Sequence, residues 1–368
     1  MRLLVINMIK FYIINMKLFI DCRMLGSGGI GTYLESILPY LLLNNECTLL
    51  CFPSQTQKLT SYTENKNCNI IETEIPTFSI KELLFFPSSL RKVINSCDAY
   101  YSPYCNVPSG IKIPVFTTIH DVVFLDVPGL SSKLGTIARK FFYQHAINRS
   151  KTVFTVSKFS ADRIAANLKT KKTKIVITYN SVPQWFTEKN DSAHSIAKDN
   201  SILFVGNIKK HKGLSTLLEA FSTCIKDGLD AKLVIVGNAD NFRSGDTQIA
   251  EKLSKLSDSN IIFTGKISDE ELKNYYQKAR LLVQPSLYEG FGMPPMEALV
   301  SGTNVILTDI PVFKEIYEVF PVTFFESQNS TELAEKIKQH FDDLPPVSIP
   351  KKYSFEAVSN IILNELKN

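Results

Sequence analysis

The segment Leu281-Leu-Val-Gln-Pro285-Ser-Leu-Tyr-Glu289-Gly-Phe-Gly292-Met-Pro-Pro-Met-Glu297-Ala298 decides how this chain is read. Leu281–Gln284 is a short apolar run and predicts a buried strand. A loop with two glycines follows, and Pro294 or Pro295 suits the first turn of a helix. Gly290 and Gly292 carry no Cβ, so the backbone there can approach a ligand closely. The N–H groups of Phe291–Met293 and the helix N-terminus favour an anion such as a diphosphate. Glu289 stands at the strand exit and Glu297 one turn into the helix. Both are expected to face a cleft, where carboxylates accept hydrogen bonds from vicinal sugar hydroxyls. A tight strand–helix turn with a capping glutamate is the plainer alternative; the two acids flanking the glycines favour a site.

Outward from this segment, short apolar runs alternate with helical patterns, the signature of βαβ units. Strands are predicted at Lys17–Asp21, Thr48–Phe52, Asn69–Glu72, Ala99–Ser102, Val115–His120, Thr152–Val156 and Lys174–Thr178, with helices at Ile30–Leu43, Ser132–Asn148 and Lys158–Leu168. A polar stretch, Glu188–Asn200, reads as a linker. A second series has strands at Ile202–Val205, Lys232–Val236, Ile261–Thr264, Leu281–Gln284, Asn304–Thr308 and Val322–Phe324. Its helices are Gly213–Lys226, Thr247–Leu256, Asp269–Ala279, Pro295–Val300 and Thr331–Asp342, and Ser354 caps a last one, Ser354–Lys367. The expected fold class is α/β, two Rossmann-like doubly wound domains facing a cleft. Residues 1–185 form the first domain, 186–350 the second, and 351–368 a helix returning to the first. Ligands of such folds bind at the carboxyl ends of the strands.

Composition narrows the class. A chain of 368 residues with 44% hydrophobic and 21% charged residues is globular, not disordered or fibrous. Seven cysteines without a C-x-x-C pattern read as reduced thiols in the cytoplasm, and the five histidines lack zinc-ligand spacing. Residues 1–182 hold 21 Lys and Arg against 11 Asp and Glu; residues 183–368 hold 20 against 25. The basic half suits anionic phospholipid or a phosphorylated substrate, or is a bias spread over a solvated surface. Nucleic acid is disfavoured because no dense basic run carries interleaved aromatics. Lys10 and Lys17 interrupt the apolar stretch Leu3–Ile20, which falls short of a membrane span. Met16 reads as an alternative start, with residues 1–15 an extra segment or a weak amphipathic anchor.

The set of motifs resembles family 4 retaining glycosyltransferases, which have the GT-B fold. Glu289 and Glu297 lie inside E-G-F-G-x-P-x-x-E-A, similar to that family's E-x7-E motif. Asp21-Cys-Arg-Met-Leu and Gly28-Gly-Ile-Gly-Thr-Tyr33 resemble its first strand and glycine loop. Thr118-Ile-His-Asp121, Val156-Ser-Lys-Phe-Ser160 and Tyr179-Asn-Ser-Val182 resemble its later landmarks. Phe204-Val-Gly206-Asn207-Ile-Lys209-Lys-His-Lys212-Gly213 resembles its phosphate-binding turn.

The resemblance implies roles. Glu297 holds the ribose hydroxyls of a nucleoside diphosphate sugar, and Lys212 with the Gly290–Met293 backbone holds its diphosphate. Glu289 holds hydroxyls of the donor sugar, while His120 and Gly28, Gly29 and Gly31 close the site from the first domain. The implied reaction is metal-independent, retaining transfer of a hexosyl group, since no Asp-x-Asp pair occurs. The opening motif and the Gly206–Lys209 turn resemble bacterial polysaccharide mannosyltransferases, which points to GDP-mannose and a glycan or lipid-linked oligosaccharide acceptor. The setting implied is cytoplasmic, with peripheral contact at the inner face of the plasma membrane. Lys81–Arg91, with Leu83-Leu-Phe-Phe86, is a candidate contact or an ordinary amphipathic core segment. Asn207 stands where the family often has arginine, which removes one charge from the diphosphate unless Lys209 or Lys210 replaces it. Ser181 and Asn304 are milder departures, replacing a glycine and a proline. The rival readings are a non-catalytic nucleotide-sugar-binding protein and a GT-B enzyme of another class, such as an epimerase.

Overall fold

The apolar runs become strands buried on both faces, which is why they read as continuous rather than alternating. The computed structural model describes residues 16–64, 66–187, 197–237, 260–341 and 347–368. The first sheet contains β1 (Lys17–Asp21), β2 (Glu46–Cys51), β3 (Cys68–Glu72), β4 (Ala99–Ser102), β5 (Val115–Thr118), β6 (Thr152–Thr155) and β7 (Lys174–Ile177), in spatial order β3-β2-β1-β4-β5-β6-β7. The second contains β8 (Asp199–Val205), β9 (Lys232–Val236), β10 (Ile261–Gly265), β11 (Ala279–Gln284), β12 (Asn304–Thr308) and β13 (Thr323–Phe325), in order β10-β9-β8-β11-β12-β13. Neighbours pair in parallel throughout.

Side-chain alternation along β1 shows how each sheet is covered. Leu18 and Ile20 pack with helices Gly28–Leu41 and Phe355–Lys367; Phe19 faces the other way, among Tyr100 and Ile147. Each side chain so buried contributes roughly 1.5–3 kcal/mol. The last helix does return to the first domain, where Phe355, Val358, Ile362 and Leu366 enter its core. Ser354 caps it by accepting from the Ala357 N–H at 3.1 Å.

Strand order reverses between β1 and β4 and again between β8 and β11. Both crevices open at strand carboxyl ends. One receives the Gly28 loop and the segment after Ser102. The other receives Gly206 and the Pro285–Gly292 loop.

Several expectations need correction. β5 ends at Thr118, not His120: Ile119 still donates to Phe154 O, and His120 then turns toward Pro103. Short helices at Thr56–Thr63, Ile80–Leu84, Ser88–Ile94 and Pro311–Tyr317 were not expected, each being too short to show a clear period. β8 begins at Asp199, inside the stretch read as linker, and Gln184–Thr187 is helical just before it. The helix expected at Thr247–Leu256, residues 1–15 and most of the linker fall outside the described residues. Among the described residues, no helix is long and apolar enough to cross a membrane.

Candidate active site

The phosphate turn and the glutamate loop are locked together by backbone. Lys210–Lys212 is a single 3-10 turn, and Gly213 leaves it at φ +67°. A Cβ on Gly213 would overlap the Pro285 carbonyl, so only glycine lets the turn seat there. Leu287 N donates to His211 O at 2.8 Å. Lys212 Nζ consequently reaches Glu289 Oε1 at 2.6 Å, and Ser286 Oγ donates to the same oxygen at 2.8 Å.

Glu289 is only 8% exposed and Glu297 only 7%, so their neighbours cover most of each carboxylate. Tyr276 OH donates to Glu297 Oε2 at 2.6 Å, which leaves Oε1 as the oxygen for a further donor. Burial pushes the Glu297 carboxyl up to about 7 despite that hydrogen bond. Tyr276 carried no signal in the sequence; it comes from helix Asp269–Lys278, 21 positions away.

The helix after the loop spans Met293–Val300. Two of its first four residues are proline, so only Met293 and Met296 supply first-turn N–H groups. The loop backbone therefore carries more of the anion-binding capacity than the helix end. Tyr317 OH donates to Gly292 O, and Gly292 adopts φ +81° where a Cβ would meet the Phe313 ring at 2.6 Å.

From the first domain, the strand end after β5 meets this loop. A Cβ on Gly290 would lie 3.0 Å from His120 O and 3.1 Å from Asp121 Cβ. His120 Nε2 is 2.9 Å from Pro103 O, an atom that can only accept, so Nε2 carries the proton. Nδ1 of the neutral ring is then an acceptor. Burial lowers the imidazole to about 4, and Tyr33 packs edge-on against it at 4.8 Å. Gly28 has open space where a Cβ would stand, and a Cβ on Gly29 would lie 3.6 Å from Met293 Cε of the second domain. Gly31 instead serves packing: its Cβ would strike the Gly26 backbone at 2.8 Å.

The structure adds Asp121. Burial raises its carboxyl, while the Val123 N–H and the charges of Lys212 and Lys209 pull it down. The His-Asp pair at the strand end was its signal. Arg23, fully buried, is a second addition. It donates to Asp21 Oδ1 (2.9 Å), Tyr104 OH (3.0 Å) and Glu82 Oε1, and burial lifts the Glu82 carboxyl to about 7. Tyr104 OH also donates to Asp21 Oδ2 at 2.9 Å. This network fixes the segment whose Pro103 carbonyl orients His120.

Asn207 is exposed at the mouth of its turn. Lys209 Nζ lies 5.6 Å from the centre of the Phe124 ring in the first domain. Lys210 is exposed.

The two domains are tied beside the loop. Ser157 Oγ and Ser160 Oγ donate to Gly290 O at 2.6 and 3.2 Å. Tyr288 OH donates to Asp126 Oδ2, which Arg163 Nε also holds, while Asn167 donates to Oδ1 of the same carboxylate. Glu315 accepts from the N–H groups of Lys158 and Phe159 at 2.7 and 2.8 Å, capping helix Lys158–Asn167 from the other domain. Among the described residues, no three His, Cys, Asp or Glu side chains gather as metal ligands.

Comparison with known proteins follows this division. The model described as Glycosyltransferase Family 4 matches residues 27–184, and the one described as Glycosyl transferases group 1 matches residues 186–354. The chain is 33% identical over 199 residues to an O-antigen chain mannosyltransferase of Salmonella typhimurium, a match covering 54% of this chain and 53% of that protein. It therefore spans about half the length of that relative. It is 26% identical over 328 residues, 84% of each chain, to an uncharacterized glycosyltransferase of Methanocaldococcus jannaschii. Among solved structures, sucrose-phosphate synthase from Thermosynechococcus elongatus shares the fold at TM-score 0.69 and 15% identity, over 96% of this chain and 98% of that one. Anabaena HepE in complex with UDP and glucose does so at 0.66 and 15%, over 95% of each. With two Rossmann-like sheets and a family model matched to each, the chain belongs to the group 1, family 4 glycosyltransferases of GT-B fold.

Proposed function

We propose that the chain transfers a hexosyl group, mannose in first place, from a nucleoside diphosphate sugar to a hydroxyl of a glycan acceptor, with retention and without a metal. The observation that carries this reading is the Lys212–Glu289 ion pair facing His120 and Asp121 across the cleft. Likeness to the Salmonella mannosyltransferase supports the choice of mannose, and hence GDP-mannose.

The residues act as follows. Glu297, held by Tyr276, accepts the ribose hydroxyls. Lys212 exchanges Glu289 for the diphosphate, and the freed Glu289 carboxylate accepts hydroxyls of the sugar. His120 Nδ1 accepts a further sugar hydroxyl. Negative charge grows on the departing phosphate oxygen, where Lys212 and the loop N–H groups stabilise it in a site shielded from water. Gly28 and Gly29 leave room for that approach.

A lipid-linked acceptor would be met at a membrane surface. Leu83 and Phe86 of the candidate contact are core residues, whereas Leu84 and Phe85 are 64% and 72% exposed. With Ile80, Leu134, Ile137 and Phe141, also exposed, and with Lys81, Lys133 and Lys140 nearby in sequence, they suit an anionic leaflet. Co-sedimentation with phosphatidylglycerol vesicles, lost in Leu84→Ser/Phe85→Ser, tests that contact.

The central test is a thermal-shift series with GDP, UDP, dTDP and ADP, with and without EDTA, followed by nucleotide release from the matching donor. A GDP shift insensitive to EDTA and release of GDP from GDP-mannose are expected. A shift without release would favour the non-catalytic rival, and conversion of donor without acceptor to an isomeric nucleotide sugar would favour the epimerase.

A further inference from the structure

One cavity of about 190 Å³ lies away from the Lys212–Glu289 pair, and its lining has a chemistry of its own. Thr32, Glu35 and Ser36 line it from one face of helix Gly28–Leu41. Tyr62 comes from helix Thr56–Thr63, Trp185 from the turn between the domains, and Asp269 from the second domain. The volume is below the roughly 300–1,000 Å³ of sites for drug-sized ligands, which suits a single six-membered ring. Two half-buried aromatic rings offer apolar faces, and two carboxylates and two hydroxyls offer acceptors.

Charge narrows the ligand. Lys58 Nζ is bound to Glu35 at 2.6 Å, so each offsets the other's charge, and the Asp269 carboxylate shares the wall with the Lys273 ammonium near Trp185. Charges of both signs leave the lining close to neutral, and a hydroxyl-rich neutral ligand satisfies its acceptors. The wall is also held in place. Ser36 Oγ donates to Thr32 O at 2.7 Å, which keeps its lone pairs toward acceptor duty. Lys273 Nζ donates to Trp185 O at 3.1 Å, and the Trp185 ring packs on Phe186 at 5.2 Å. Phe186 in turn meets Tyr276, the residue that holds Glu297.

Position supplies the last argument. Gly28, at the reaction site, and Glu35, at the cavity, stand seven residues apart on one helix. At 1.5 Å rise per residue the separation is about 10 Å. A saccharide whose reacting hydroxyl lies by the Gly28 loop would bring an inner ring along this helix face.

We propose that this cavity is an acceptor subsite that holds a neutral pyranose ring of the glycan, displaced from the reacting sugar. The proposal rests on the glycosyltransferase reading above. Trp185 is the only tryptophan in the chain, so its emission reports the site directly. The full chain is titrated with methyl α-mannoside and with α-linked mannobiose and mannotriose, in the presence of saturating GDP. A saturable change in Trp185 emission is expected, stronger for the oligosaccharides and weak for mannose 6-phosphate. Tyr62→Ala should weaken it about 3- to 10-fold, the range for losing one aromatic contact, and Tyr62→Phe should restore it. An unchanged response in Tyr62→Ala, a response abolished by GDP, or no saturable response to any of these sugars would overturn the proposal. The nucleotide thermal shift, measured on the same preparations, separates the failures: if it persists while the sugar response is absent, the subsite alone is wrong. If it too is absent, the glycosyltransferase reading falls with it.

Discussion

Lys212 Nζ and Glu289 Oε1, 77 positions apart in the chain, stand 2.6 Å apart and mostly buried. Each is the other's main compensation before a donor arrives. Lys212→Ala strands the Glu289 charge beside Ser286, at a cost of about 1–3 kcal/mol. Glu289→Gln removes the charge yet keeps an oxygen for Ser286. In a double-mutant cycle, Lys212→Ala/Glu289→Gln should therefore unfold at a higher temperature than Lys212→Ala alone. Both single variants should lose roughly 100- to 1,000-fold in kcat. A variant Lys212→Ala of wild-type activity would remove this pair from the mechanism.

Glycine substitution separates folding from ligand approach. Gly213→Ala meets the Pro285 carbonyl and adopts an unfavourable φ, so it should cost about 3 kcal/mol or more and yield little folded protein. Gly28→Ala has no atom within 4 Å of its Cβ and bears only the strain of φ +54°. A loss of about 1 kcal/mol is expected there. Its nucleotide-induced thermal shift should fall by far more than its melting temperature, because the methyl would stand in the donor site proposed above.

The pH dependence of stability has two opposed parts. Burial lowers His120 and His211 to about 4, below the unfolded value of about 6.5. The unfolded chain then binds more protons between those limits, so their contribution to stability declines as pH falls from about 6.5 to 4. Burial raises Glu82 and Glu297 to about 7. Here the folded state binds more protons above the unfolded value of about 4.3, and stability declines as pH rises through 7. Glu297→Gln should therefore raise the melting temperature more at pH 8 than at pH 5. Equal effects at both pH values would show that Glu297 titrates normally.

Glu315→Ala removes the acceptor for two N–H groups of the Lys158–Asn167 helix. Loss of a helix cap costs about 0.5–2 kcal/mol. Because the cap comes from the other domain, the variant should also release donor sugar to water more often per transfer. The ratio of hydrolysis to transfer measures this, and Glu315→Gln should recover part of it.

Much of the architecture was legible. β1, β4, β9 and β12 begin and end where the apolar runs do, since buried parallel strands need continuous apolar residues. The Gly290–Gly292 turn and the Ser354 cap were legible for the same local reasons. What escaped depends on partners distant in sequence. Arg23 meets Glu82 over 59 positions and Tyr104 over 81, and Tyr276 meets Glu297 from another helix. Periodicity reports a residue's own face, not the group opposite. The near-burial of Glu289 and Glu297 escaped likewise, because carboxylates flanking a glycine turn read as exposed until their Lys, Ser and Tyr partners are placed.

The ties from Ser157, Ser160 and Glu315 to the second domain sit beside the reacting loop, not at its far rim. A rotation that leaves them intact has its pivot next to Glu289. Points near a pivot travel least. Such a swing would part the walls of the proposed nucleotide site while His120 and Glu289 stay almost in register. Spent nucleotide could then depart and a fresh donor enter without the chemical centre being dismantled and rebuilt on every turnover.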